Sequence, residues 1–347
     1  MNLPKNLITV LIPTYNVEKY IKECLGSVLN QTFQDFDVLI IDDASTDNTV
    51  KVIQEINDYR IKILVKKENK GLIDSLNIGF KACKGKYIAR VDGDDVNALD
   101  RFEKQFNFLE VNADIDACGS WLQCFGSSNR LMKHKETNEE IMCAMFKTAP
   151  ISIGATMFRR EAYKEFSFDS KMSHVEDYDF WARTGFINKM HNLQEVLYFY
   201  RIHENQVCQK FRPLQLENKL KIKLLLWKKL CFDNTIYSDD FLSNMLQGHG
   251  VYQYKDFLMF KNWGNDILTL NRKLALYNPR LLKLTRAEIV NDILVNTYVR
   301  NRRGVGNRDR IKLLFIIPMK WKIVAPFLMV SSKLIFFINR FIKAIDS

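Results

Sequence analysis

The chain has 347 residues, 47% of them apolar, which is enough for one large or two ordinary domains with real cores and excludes a disordered protein. Charge is unevenly placed: residues 1–204 carry 26 Lys and Arg against 30 Asp and Glu, and residues 205–347 carry 25 against 10. The second part therefore faces something anionic, either nucleic acid or an anionic membrane surface. The seven cysteines form no Cys-x-x-Cys pair and no zinc-like spacing with the five histidines, so they read as reduced thiols of a cytoplasmic protein without a secretory signal.

Residues 7–12 form an apolar run stopped by Pro13, which predicts a buried strand. Val17, Tyr20, Ile21, Cys24, Leu25, Val28 and Leu29 then fall at helical spacing, with Asn16 available as N-cap. A second strand is predicted over 37–41, followed by a helix to about 56 capped by Ser45 or Thr46. A third strand over 61–65, a helix from 72 to near 85 and a fourth strand over 87–91 complete a β/α alternation. Such alternation implies an α/β fold with a mostly parallel sheet covered by helices. Further on, the pattern predicts a helix over 100–112 and a strand over 118–125, then a polar loop over 126–138. A strand over 151–159, helices over 160–166 and 175–184 and a strand over 195–202 follow, and the chain reads as helical from about 206.

In parallel sheets ligands bind beyond the carboxyl ends of the strands. Pro13, Tyr15 and Asn16, the pair Asp42 and Asp43, and the acidic run Asp92, Asp94 and Asp95 all stand at such ends and should share one crevice. Hard divalent cations take oxygen ligands and commonly use one or two carboxylates plus substrate phosphates, which suits the acidic run; a solvated acidic turn is the plainer alternative. The first strand leads to Pro-Thr-Tyr-Asn instead of Gly-x-Gly-x-x-Gly, so a dinucleotide-binding reading fails.

Five phrases in order carry a resemblance: Val-Leu-Ile-Pro-Thr-Tyr-Asn at 10–16, Asn-Gln-Thr-Phe at 30–33, Ile-Ile-Asp-Asp-Ala-Ser-Thr-Asp-Asn-Thr at 40–49, Tyr-Ile-Ala-Arg-Val-Asp-Gly-Asp-Asp at 87–95 and Val-Glu-Asp-Tyr-Asp-Phe-Trp at 175–181. Over roughly residues 5–210 the chain resembles family 2 glycosyltransferases with the GT-A fold, a Rossmann-like, mostly parallel sheet flanked by helices. Within that family the wording at 16–20, 71–79, 119–122 and 200–207 looks most like bacterial β-1,3-N-acetylglucosaminyltransferases that extend lipooligosaccharide. The resemblance implies a catalytic domain over 1–210, with a nucleotide-binding part at about 5–115 and an acceptor part at about 116–210, and a basic helical region over 211–347. It also implies inverting transfer of a sugar, GlcNAc favoured, from a UDP-sugar to a saccharide acceptor in cell-surface polysaccharide or lipooligosaccharide synthesis. UDP-Gal or UDP-Glc is the alternative donor, and a catalytically inactive nucleotide-sugar-binding scaffold is the alternative of another class.

By family pattern Pro13 and Tyr15 belong to the nucleotide site, Tyr15 stacking on uracil and Asp43 accepting from its N3–H; the plainer readings of Tyr15 and Asp43 are a core aromatic and a helix cap. Asp94 matches the direct ligand of Mn²⁺ or Mg²⁺, and Asp92 a position holding metal or ribose. Arg90 stands near the phosphate or uracil, or else in a salt bridge to the acidic loop. Asp177 matches the catalytic base, with Glu176 orienting the acceptor or the base; the plainer reading is an acidic helix start favoured by the helix dipole. His203 matches a histidine near the diphosphate and metal. Trp121 and Trp181 are either platforms for sugar rings or core. Cys208 replaces a small hydroxyl residue of the similar enzymes, which puts a phosphate contact there in doubt.

Beyond about 300, a cluster of six Arg and Lys precedes an apolar but charge-broken segment over 313–342 whose longest uncharged stretch, 323–332, is too short to span a bilayer. One apolar and one cationic side suit the bilayer interface, implying a peripheral protein at the inner face of the cell membrane; a helical lid is the alternative, and nucleic-acid binding lacks any accompanying motif.

Overall fold

The computed structural model describes residues 7–203, 211–247 and 252–300. The chain divides into two compact units, Met1–Ile222 and Lys223–Ser347. The first is built on β1 (Ile8–Thr14), α1 (Ile21–Leu29), β2 (Phe36–Asp42), α2 (Thr49–Gln54), β3 (Ile61–Val65), α3 (Leu72–Ala82), β4 (Tyr87–Arg90), β5 (Val96–Asn97) and α4 (Arg101–Val111). It continues with β6 (Ala117–Gly126), β7 (Leu131–Met132), α5 (Asn138–Ala144), β8 (Met157–Arg159), α6 (Arg160–Tyr163), α7 (Glu176–Thr184) and β9 (Met190–Ile202). The sheet runs β3-β2-β1-β4-β8-β6-β9-β5, with β7 paired to β6. Strands β1 to β4 are mutually parallel where they pair, whereas β8 lies antiparallel to both β4 and β6. β6 and β9 run parallel, and β5 adds antiparallel to β9.

All seven residues of β1 are buried, as expected of a central strand covered on both faces. Ile8, Val10, Ile12, Val38, Ile40 and Ala89 pack with Ile21, Cys24, Leu25 and Val28 of α1 and with Phe102 and Leu109 of α4. The apolar stripe read from Ile21 to Val28 is thus the buried face of α1. The cap assignments differ from the expectation. Asn16 does not cap α1, which starts at Ile21; it has φ 53° and is tied to the loop after β2, its Oδ1 accepting from Thr46 N–H at 2.8 Å. Ser45 and Thr46 do not cap α2 either: Ser45 donates from its hydroxyl to Asp42 at 2.6 Å, and Asp47 accepts from Thr49 N–H at 2.9 Å. Two loops that each read as a cap are instead knitted to each other.

Residues 151–159 are not one strand. A short 3₁₀ turn, Ile153–Ala155, precedes the three-residue β8. β9 is longer than expected, starting at Met190, and its buried Asn192 donates from Nδ2 to the carbonyl of Lys135 at 2.7 Å. The six described cysteines are free, and Cys208 lies outside the described residues.

α8 (Arg212–Lys228) passes from the first unit into the second, which also holds α9 (Asp239–Gln247), α10 (Tyr254–Leu274) and α11 (Pro279–Arg300). Its core is aromatic: Trp227 meets Trp263 edge-on at 5.0 Å, Phe260 stacks on Trp263 at 5.0 Å, and Phe232 closes the group. α10 ends at Ala275 in the left-handed region, and Asn271 reaches forward to pair with both backbone groups of Tyr277. Asn278 then accepts from Leu281 N–H and Pro279 opens α11, a favourable start because proline lacks the N–H that a first turn leaves unpaired. No helix among the described residues is long and apolar enough to cross a membrane. The basic cluster beyond Arg300 and the segment over 313–342 lie outside the described residues.

Candidate active site

Three loops meet at the carboxyl ends of β1, β2 and β4. Asp43 N–H donates to the Thr14 carbonyl at 2.9 Å, joining the first two. Gly93, in the acidic loop, packs so closely on Thr14 and Val17 that a Cβ there would sit 3.1 and 3.3 Å from their methyl groups. Tyr15, which follows β1, is 47% exposed and is not a core aromatic, while Pro13 is buried within β1 opposite Ile41. Asp43 is buried and does not cap a helix. Its Oδ1 accepts from Lys66 Nζ at 2.5 Å and from Lys70 N–H at 2.9 Å, and its Oδ2 from Gly71 N–H at 2.7 Å. Burial lowers the pKa of Lys66, held between Asp43 and Asp74, but the two carboxylates more than offset this and raise it.

The acidic loop leaves β4 at Arg90, whose buried guanidinium forms an ion pair with Asp92. The salt bridge from Arg90 to the acidic loop is thus present. Burial works against the Arg90 charge, and Asp92, Tyr198 and Asp95 outweigh it. Gly154 belongs to the same knot, for a Cβ at that position would collide with Asp92 Oδ2 and come within 3.1 Å of the Tyr198 hydroxyl.

His203, at the end of β9, places Nε2 3.0 Å from Asp94 Oδ2 across 109 residues of sequence. Burial and then the Asp92 charge push the Asp94 carboxyl up, and burial with Asp92 and Asp94 pushes Asp95 well above the ordinary range. Three carboxylates crowded around one turn are the kind of donor set a hard cation relieves. An oxygen and a nitrogen at this separation also match neighbouring ligands of one octahedral ion, where bonds of about 2.1 Å at right angles subtend about 3 Å. Among the described residues no three His, Cys, Asp or Glu side chains converge to hold a metal unaided. The residues present therefore fit a divalent ion that completes its shell from substrate phosphate and water.

Glu176 and Asp177 open α7, and the residue before Val175, His174, has φ 68°. The His174 ring stacks on Phe211 at 4.1 Å, and its carbonyl accepts from Gln215 of α8 at 3.0 Å. Behind the pair, Tyr178 donates to the Met145 carbonyl and Trp181 Nε1–H to that of Ile151 at 3.1 Å. Trp181 is fully buried and stacked on Phe158, so it is core and not a sugar platform. Trp121 is half-buried beneath the Lys133 ammonium, 4.6 Å from its ring centre. Burial and the neighbouring Asp177 charge push Glu176 up to about 7, with Arg90 lowering and Asp92 raising it further away. Burial also raises Asp177, opposed by the Tyr178 N–H, Lys219 and Arg90. The Arg90 charge lowers both carboxylates, so the start of α7 lies within electrostatic reach of the acidic loop.

Sequence reading missed Tyr198, Gly154, Lys66 and Arg201, which shape this site. Arg201 falls within the stretch 200–207, yet nothing local distinguishes it from a strand-end cation.

A sheet parallel in one half and mixed in the other, flanked by helices and carrying an acidic turn at the end of β4, is the GT-A fold of glycosyltransferases. The sequence profile described as Glycosyl transferase family 2 matches residues 9–167. An uncharacterized glycosyltransferase of Haemophilus influenzae is 35% identical over 62% of this chain and 72% of its own length. One from Methanocaldococcus jannaschii is 31% identical over 68% of this chain and 84% of its own. The chain belongs to glycosyltransferase family 2. Chondroitin synthase of Escherichia coli is 29% identical over 62% of this chain, which spans only 32% of that protein. Among solved structures, S. aureus TarS 1–349 in complex with UDP-GlcNAc superposes with a TM-score of 0.58 at 18% identity, over 85% of this chain and 92% of that one, and shares its fold.

Proposed function

We propose that this glycosyltransferase moves a sugar, GlcNAc favoured, from a UDP-sugar to a saccharide or lipid-linked saccharide acceptor of a cell-surface glycan, with inversion at the anomeric carbon. The observation that carries the reading is the meeting of His203 Nε2 with Asp94 Oδ2 at 3.0 Å, beside an Arg90 whose charge acts on both Glu176 and Asp177. The uracil lies on Tyr15 and gives its N3–H to the one acceptor position of Asp43 left free by Lys66, Lys70 and Gly71. Asp94 and His203 would hold Mn²⁺ or Mg²⁺, while Asp92, already paired with Arg90, would serve the ribose side. When bound, the cation supplies neutralisation of the negative charge that grows on the departing UDP.

Asp177 accepts the proton of the acceptor hydroxyl, whose oxygen bonds to the anomeric carbon as the bond to the UDP oxygen breaks on the opposite face. Glu176, close by and with its pKa near neutrality, orients the hydroxyl. The presence of a UDP-GlcNAc complex among structures of the same fold supports this donor class. The cationic second part of the chain supports work at an anionic membrane surface, where a lipid-carried acceptor is met.

The test is UDP release from a panel of UDP-GlcNAc, UDP-Gal and UDP-Glc with Mn²⁺, followed by NMR of the product linkage. Asp177→Asn is expected to lower kcat by about 10²–10⁴-fold while UDP still binds. Turnover with another sugar nucleotide but none with UDP-sugars, or a retained anomeric configuration, would sink the reading.

A further inference from the structure

We infer that Arg201 is a positioning residue for the cation site, setting where Asp94 and His203 meet. This rests on the reading of that pair as the metal donors. Arg201 contacts the acidic loop at two points: its N–H donates to Asp95 Oδ1 at 2.7 Å and its Nε to the Asp94 carbonyl at 2.8 Å. Its guanidinium is then held from two other elements. Glu23 of α1 accepts from Nη2 at 2.5 Å, and the guanidinium lies over the rings of Tyr20, at 5.0 Å, and of Phe125 in β6, at 4.3 Å. The same Tyr20 ring lies 4.9 Å from the His203 ring. Two residues separate Tyr198, which accepts from Asp92 N–H at 2.9 Å, from Arg201. The last turn of β9 therefore grips residues 92, 94 and 95 in succession before it presents His203.

The Asp94 carboxylate meets His203 only if the Asp94 backbone is fixed, and the bond from Arg201 Nε is what the side chains supply for that purpose. A planar fork that spans Glu23 and the Asp94 carbonyl while stacked between two rings cannot be reproduced by an ammonium group. Outer-shell partners of metal ligands typically account for about 10–100-fold in metal affinity. Arg201→Lys is accordingly expected to weaken Mn²⁺ binding by about tenfold.

The experiment measures Mn²⁺ affinity of the full chain by EPR of free Mn²⁺, with and without UDP, for wild type, Arg201→Lys and Glu23→Gln. Circular dichroism melts monitor folding. The expected result is a Mn²⁺ Kd raised about tenfold in Arg201→Lys and about threefold in Glu23→Gln, with metal-free UDP binding unchanged. Wild-type Mn²⁺ affinity retained in a folded Arg201→Lys overturns the inference. Should that variant not fold, wild-type affinity in Glu23→Gln, where the guanidinium loses the charged partner that holds its Nε against the Asp94 carbonyl, overturns it. Wild type that binds no Mn²⁺ at all overturns the metal reading itself, a distinguishable failure.

Discussion

Glu176 and Asp177 carry two charges where burial favours fewer. The Glu176 pKa of about 7 lies above its ordinary value of 4.5, so its folded form gains a proton over that interval and holds a costly charge above it. Stability linked to this group is full below the ordinary value and is lost as pH rises through about 7. Glu176→Gln should therefore melt higher than wild type at about pH 8, by on the order of 2 kcal/mol, and lose that advantage by about pH 5. Thermal melts across this range check it. Wild-type kcat should fall toward acid pH as the raised carboxylates protonate, a limb that Asp177→Asn would flatten. At Gly154 the cost is steric: Gly154→Ala drives a methyl into the Asp92–Arg90 pair, and denaturant unfolding is expected to show a loss of about 1–3 kcal/mol with a raised donor KM.

At the scale of elements, α7 is a rigid mount. Trp181→Ala should cost about 3–5 kcal/mol in denaturant unfolding, because a buried indole and its bond to Ile151 are lost together. An acceptor KM that rose with stability unchanged would restore the platform role. Strands β1 to β4 were legible because each is a short, mostly apolar run, broken in β3 only by Lys62, and α7 because its charges precede a clear apolar stripe. The two-residue strands β5 and β7 were not, since pairing across space defines them and no run does. α5 was missed although Thr137 and Glu140 form a reciprocal capping box, a signal present in the sequence and overlooked inside a polar stretch. The caps of α1 and α2 were misassigned for the opposite reason: Asn16, Ser45 and Thr46 have cap chemistry, and long-range partners outcompeted the local use. Asp94 and Asp177 could be nominated from motif order, whereas the contacts of Arg201 with residues 23, 94 and 125 exist only in three dimensions.

For the whole molecule, the division of charge predicts behaviour that neither unit's packing reveals. The full chain should float with vesicles containing anionic lipid and not with zwitterionic ones, and added salt should release it, because attraction of this kind fades beyond a Debye length of about 10 Å at 0.1 M. Flotation independent of lipid charge would argue for the lid alternative.

The late arrival of β9 has a consequence for how the chain folds. The turn at 92–95 takes its shape from residues 198–203, which leave the ribosome about a hundred residues afterwards. The strands β1 to β4 can zip together through neighbouring segments, but closing β9 onto β6 and β5 is a distant loop closure and belongs to the slow part of the process. A nascent or truncated chain ending before residue 190 should thus show protected amides in β1 and β2 by hydrogen exchange while the acidic turn stays open to solvent. Competence for catalysis would then be conferred at the end of synthesis of this unit, when its final strand docks.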